Sequence, residues 1–128
     1  MGYKKLDIWQ LARENVNQIH EMTIQSLPKF EMYETGSQIR RSSKSVKANI
    51  VEGFGRREYK LEFIRFLTFA LASNYETLDH LETLNETKSL EDSEIYNQIH
   101  NRITLLSKML YNFINAVHKN HNSQKSKN

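Results

Sequence analysis

Ile95, Ile99, Ile103, Leu106, Leu110, Phe113 and Val117 follow one another at spacings of 4, 4, 3, 4, 3 and 4. A strand would bring alternate residues to one face, whereas these spacings close on one stripe of a 3.6-residue helix and come near a coiled-coil seam. Such a stripe is buried only by packing against other helices, so the chain is constrained toward a helical assembly from its C-terminal third.

The rest of the chain repeats the pattern three times. Leu6, Trp9, Ala12, Val16 and Ile19 form one apolar stripe, bracketed roughly by Asp7 and Pro28. A second helix begins near Thr35 to Ser37, both good N-cap types, and carries a thin stripe of Ile39, Ser43, Val46 and Ile50. The third is the most apolar, from about Tyr59 to Leu84, with Phe63, Ile64, Leu67, Leu71, Asn74, Leu78 and Leu81 in register and Phe66, Phe69 and Ala70 widening the stripe. A helix that apolar in a water-soluble chain packs on two sides, which implies contact with another subunit. With 4 glycines and 1 proline among 128 residues, Pro28, Gly36 and Gly53 mark the breaks, and Gly53 suits the left-handed position that ends a helix. The predicted fold is all-α: an antiparallel, up-down-up-down four-helix bundle over residues 1–119, then a disordered polar tail at 120–128.

The chain has no cysteine, which excludes a disulfide framework and any thiolate metal site. Its opening residues form an amphipathic pattern and not an apolar signal core, and no run approaches the roughly 18 apolar residues of a membrane helix. A water-soluble, cytoplasmic protein without membrane contact is expected.

The net charge is +3, but its placement is uneven. Residues 38–65 carry Arg40, Arg41, Lys44, Lys47, Arg56, Arg57, Lys60 and Arg65 against Glu52, Glu58 and Glu62, so this quarter is positive by five. On the second helix Arg40, Lys44 and Lys47 stand at i, i+4 and i+7 with Arg41 adjacent, which makes a basic ridge. The bland reading of such a ridge is a solvated helix face.

Catalytic chemistry is hard to find. Helical bundles that hold di-iron carboxylate sites need Glu-x-x-His pairs, and none of the five histidines has an acid three residues before it. His118 and His121 form an i, i+3 pair at a fraying helix end, where solvated histidines are the expected state. Gly53-Phe54-Gly55 lacks the third glycine of a dinucleotide fold and the Lys-Ser/Thr of a phosphate loop, and no nucleophile elbow is present. No enzyme activity, metal or cofactor is expected. Two polar features remain. Asn49 and Glu52 sit near the negative end of the second helix, where Arg56 is placed to compensate Glu52 either as a structural clamp or as a ligand contact. Ser73, Asn74 and Glu76 interrupt an apolar helix and need partners, either Asn49 or a group across a subunit boundary.

One stretch is specific. Pro28, Glu31 and Tyr33 are followed by Gln38, Ile39, Arg40, Arg41, Ser45, Asn49, Ile50, Glu52, Gly53, Gly55 and Arg56, then by Glu62, Phe63, Ala70, Ser73 and Glu76. This pattern, with Leu6, Trp9 and Ala12 in the entry helix, resembles the four-helix-bundle proteins encoded by intervening sequences within bacterial 23S ribosomal RNA genes. It is also similar to the accessory proteins of diversity-generating retroelements. The chain departs at Ser42 and Ser43, where the family usually has alanines, and at Ala72, where a glycine often precedes the serine. The resemblance implies a homopentameric ring and a motif set of Asn49, Glu52, Gly53, Gly55, Ser73 and Glu76. Taken with the charge distribution, it implies RNA association, with ribosomal RNA as the candidate partner, through phosphate contacts from Arg40, Arg41, Lys44, Lys47, Arg56, Arg57 and Lys60. The alternative is a protein-binding scaffold, such as an accessory subunit of a reverse transcriptase.

Overall fold

A computed structural model describes residues 2–120 in full and the backbone of 121–127. Four α-helices make the fold: α1 (Asp7–Gln25), α2 (Thr35–Gly55), α3 (Lys60–Glu86) and α4 (Ser93–Lys127), with short 3₁₀ turns at Tyr3–Lys5 and Lys29–Tyr33 and no strand among the described residues. The tail expected at 120–128 lies, from residue 121 on, outside the residues whose side chains are described. Each helix packs on its neighbours in the chain, and α1 also meets α4, so the four close into a bundle. Contact pairs rise along one helix as they fall along the next: Ser42 meets Thr77 and Ser45 meets Ser73, while Phe63 meets Phe113 and Asn74 meets Ser107. No described helix is long and apolar enough to cross a membrane.

Local chemistry sets the helix ends. Asp92 caps α4, its Oδ1 accepting the backbone N–H groups of Glu94 and Ile95 at 3.0 and 3.1 Å. Past the end of α3, Lys88 takes a φ of 66°, the left-handed position usually given to glycine. Gly53 does not have the terminating role expected of it. No glycine has positive φ, and α2 continues to Gly55. Gly53 instead lets α3 approach, because a Cβ there would sit 3.2 Å from the Phe66 Cβ and 3.4 Å from the Phe63 carbonyl oxygen. Gly36 is more tightly held, since a Cβ would collide with the Glu31 carbonyl.

The apolar core is two clusters. One gathers Ile8, Trp9, Ala12, Val46, Ile50, Phe63, Leu67, Ala70, Leu106, Leu110 and Val117; the other gathers Ile19, Met22, Ile39, Leu81, Leu84, Leu90, Ile99 and Ile103. Between them every helix contributes polar groups: Asn15 on α1, Ser42 and Ser43 on α2, Asn74 and Thr77 on α3, and Ser107 on α4. Ser42 and Thr77 share a 2.8 Å hydrogen bond, and the Asn74 amide donates to the Ile103 carbonyl at 2.9 Å and to Ser107 Oγ at 2.8 Å. The serines that stand in place of alanines are thus used as hydrogen-bonding groups. Asn15 is the exception, buried with neither end of its amide paired.

Two outcomes follow for denaturant unfolding. Gly36→Ala should destabilise by about 2–3 kcal/mol because backbone must move, while Gly53→Ala stays within about 1 kcal/mol as helix propensity offsets a small shift at Phe66. Asn15→Leu should raise the unfolding midpoint, by about 1–3 kcal/mol in stability, by removing an unpaired buried amide; an equal or lower midpoint would show that the amide is satisfied.

Candidate nucleic-acid interface

The basic residues of the middle of the chain divide among three environments. Arg40 is turned inward and half-buried. Its Nη2 donates to the Met32 carbonyl at 2.6 Å and its Nη1 to Thr23 Oγ1 at 3.0 Å, while that hydroxyl donates to the His20 carbonyl at 2.9 Å. The guanidinium therefore joins α1, the turn after it and α2, and leaves the ridge that the sequence spacing suggested. Its neighbour in this corner is Glu31, only 4% exposed, whose Oε1 accepts the Gly36 N–H at 3.3 Å and whose Oε2 accepts the Ser89 hydroxyl at 2.6 Å.

The outer face of α2 is different. Arg41 and Lys44 are exposed and Lys47 is half-buried, and none of the three has a side-chain partner among the described residues. Arg41 leans to the α3 side, where it shares an open cleft with Gln38, Ser42, Ser45, Glu76 and His80.

The third environment is the corner between α2 and α3. Arg56 pairs with Glu52 at 3.6 Å and Glu62 at 3.4 Å and lies 4.7 Å over the Phe66 ring. Arg57 lies 4.2 Å over Phe54 and donates to its carbonyl at 3.0 Å. Arg65 pairs with Glu62 and lies over Phe69 at 5.5 Å. Lys60 opens α3 and is half-buried.

The polar motif residues make one seam. Gln38, Arg41, Ser45, Asn49, Glu52 and Arg56 recur at three and four along α2, and Glu62, Phe66, Phe69, Ser73, Glu76 and His80 do the same along α3. Ser45 and Ser73 bridge the two stripes at 2.9 Å, and the Asn49 amide donates back to the Ser45 carbonyl at 2.9 Å and hydroxyl at 3.2 Å. Asn49 thus reaches Ser73 through Ser45. Asn74 turns the other way, to α4, and Glu76 stays exposed beside Arg41. Gly55 meets nothing that a Cβ would touch.

The opposite edge, between α3 and α4, is acidic. Glu82 contacts His100 at 3.1 Å, and the Tyr96 hydroxyl has its pKa raised above the ordinary value by burial first and then by Glu82 and Glu86.

Spacing pointed to the ridge but not to Glu31, Ser89, Thr23 or the arginine–phenylalanine stacks. Glu31 stands in the family-like pattern, but only as a matching residue with no role attached, in the connection just before α2 begins at Thr35. No group of three or more metal-ligating side chains occurs among the described residues, and the side chain of His121 lies outside them.

The fold is thus a helical bundle with a polar seam between α2 and α3, beside cations without a side-chain partner among the described residues. The 23S rRNA-intervening sequence protein family matches residues 4–112, and the chain belongs to that family. Among solved structures it is similar to a protein of unknown function from the S23 ribosomal protein family of Bacteroides thetaiotaomicron, with 27% identity and a TM-score of 0.75 over 84% of this chain and 95% of that one. No curated protein matches.

The different fates of neighbouring cations are testable. Arg40→Ala should lower stability by about 2–3 kcal/mol through loss of charge-assisted bonds to Met32 and Thr23, whereas Lys44→Ala should stay within about 0.5 kcal/mol. Thermal unfolding of both variants makes the comparison.

Proposed function

We propose that this protein is a non-enzymatic, cytoplasmic RNA-associated protein of the ribosomal-RNA intervening-sequence type, acting as a homopentameric ring of antiparallel, up-down-up-down bundles. The observation that carries the reading is the set of cations on the outer face of α2, Arg41, Lys44 and Lys47, with no side-chain partner among the described residues. Contact pairs that rise on one helix while falling on the next support the antiparallel order. Exposed Leu61, Phe69 and Tyr75 on α3 support contact between subunits.

In a ring the α2 face recurs once per subunit, so contacts that are weak singly act together. They fall on phosphate and carry little sequence preference. Arg57 and Lys60, where α2 turns into α3, lie beyond this ridge, with their charge largely offset by Glu52, Glu58 and Glu62. Arg40 acts on this face only indirectly, by holding α2 in place. A second reading is a protein-binding scaffold, such as an accessory subunit of a reverse transcriptase. The same exposed Leu61, Phe69 and Tyr75 favour it, because apolar and aromatic side chains on a helix face are typical of protein contacts.

Light scattering behind a sizing column, with and without a structured RNA at low and physiological salt, tests the proposal. A ring that binds RNA and releases it steeply as salt rises is expected, with each phosphate contact adding about 0.7–0.9 to the slope of log affinity against log salt. Lys44→Glu with Lys47→Glu should abolish binding and leave the mass of the free protein unchanged. Indifference to RNA at low salt would leave the scaffold reading.

A further inference from the structure

We propose that the corner between α2 and α3 is a stacking platform for unpaired bases, so that the RNA this protein takes is single-stranded at the point of contact; this rests on the RNA association proposed above. Arg57 lies 4.2 Å over Phe54 and is tied to the Phe54 carbonyl, and Arg56 lies 4.7 Å over Phe66 between Glu52 and Glu62. Each guanidinium carbon thus lies within stacking distance of a ring, and both arginines are exposed. Tyr59, next along the chain at the start of α3, is 67% exposed. A guanidinium already fixed by a ring and an anchor loses little freedom when a second flat group lands on it.

The charge of the corner points to bases and not to phosphate as what it receives. Arg56, Arg57, Lys60 and Arg65 are nearly balanced by Glu52, Glu58 and Glu62, so the attraction for a phosphate chain is small there. The unpaired cations lie further back on α2, with Lys44 about 18 Å from Arg56 along the helix at about 1.5 Å per residue. A strand crossing both places would set its phosphates on the ridge and its bases on the corner. A duplex could use only the ridge, because its base faces are closed within the stack.

Fluorescence anisotropy with a labelled short mixed-sequence single strand, and with the same strand annealed to its complement, separates the two surfaces. The unmodified protein should bind the single strand more tightly than the duplex. Tyr59→Ser and Arg57→Gln, both exposed and so not expected to disturb folding, should each weaken single-strand binding about five- to tenfold and leave duplex binding unchanged. Lys44→Glu should weaken both. Equal binding of the two RNAs, or corner variants that keep full single-strand affinity, would overturn the platform while leaving RNA association standing. A change of solution mass in place of a change of affinity would mark the corner as a protein contact and also overturn it. Failure to bind either RNA would remove RNA association itself, and the platform with it.

Discussion

A buried carboxylate is the point on which one end of the bundle turns. Glu31 is withdrawn from water in the connection between α1 and α2, and a charge so placed is tolerated only where hydrogen bonds replace hydration. One oxygen takes the Gly36 N–H in the first turn of α2, where the helix dipole is positive, and the other takes the Ser89 hydroxyl from the connection between α3 and α4. Both loops at this end are thereby joined through one side chain. The absence of a Cβ at Gly36 follows from it, because the chain passes against the Glu31 carbonyl. Arg40 closes the same corner from the α2 side, through Met32 and Thr23.

From that end the polar layer in the middle of the bundle sets the register. Ser42 with Thr77, and Asn74 with Ser107 and the Ile103 carbonyl, can meet only when the helices are aligned as they are; a slip by one turn would leave these groups buried and unpaired. The two apolar clusters supply the bulk of the burial free energy but discriminate poorly between registers, since one leucine or isoleucine layer resembles the next. Polar pairing supplies the discrimination. Close approach of α2 and α3 at Gly53 then brings their outer stripes together as a single seam, and the three arginines at its far end come to lie over phenylalanine rings.

Much of this was legible in residue spacing. Most of the stripe residues on all four helices are buried, from Trp9 and Ile19 to Ile103 and Leu110, because a 3.6-residue period is a property of the helix alone, whereas Ile64, Leu71 and Phe113 are only partly covered and Phe69 is exposed. The extent of α2 was misjudged by two residues, since glycine's freedom was assigned to a helix end when the space was needed by a neighbouring helix. The candidate interface was legible in composition but not in arrangement. Arg40, Arg41 and Lys44 are close in sequence and look equivalent on a helical wheel, yet one is a clamp, one leans into the cleft with Glu76, and one faces solvent.

The sequence by itself determined that four amphipathic helices form, which stripes they bury, and that positive charge gathers on and after the second. These depend on interactions within a few residues along the chain, and such interactions are written in spacing. Tertiary structure alone decided which polar group meets which: Arg40 with Thr23, Glu31 with Ser89, Ser45 with Ser73, Arg56 with Glu62 and Phe66. Hydrogen bonds and ring contacts act over a few ångströms, and most of their partners here come from other elements of the fold. Only packing could separate the cations that hold the fold from those that have no side-chain partner among the described residues.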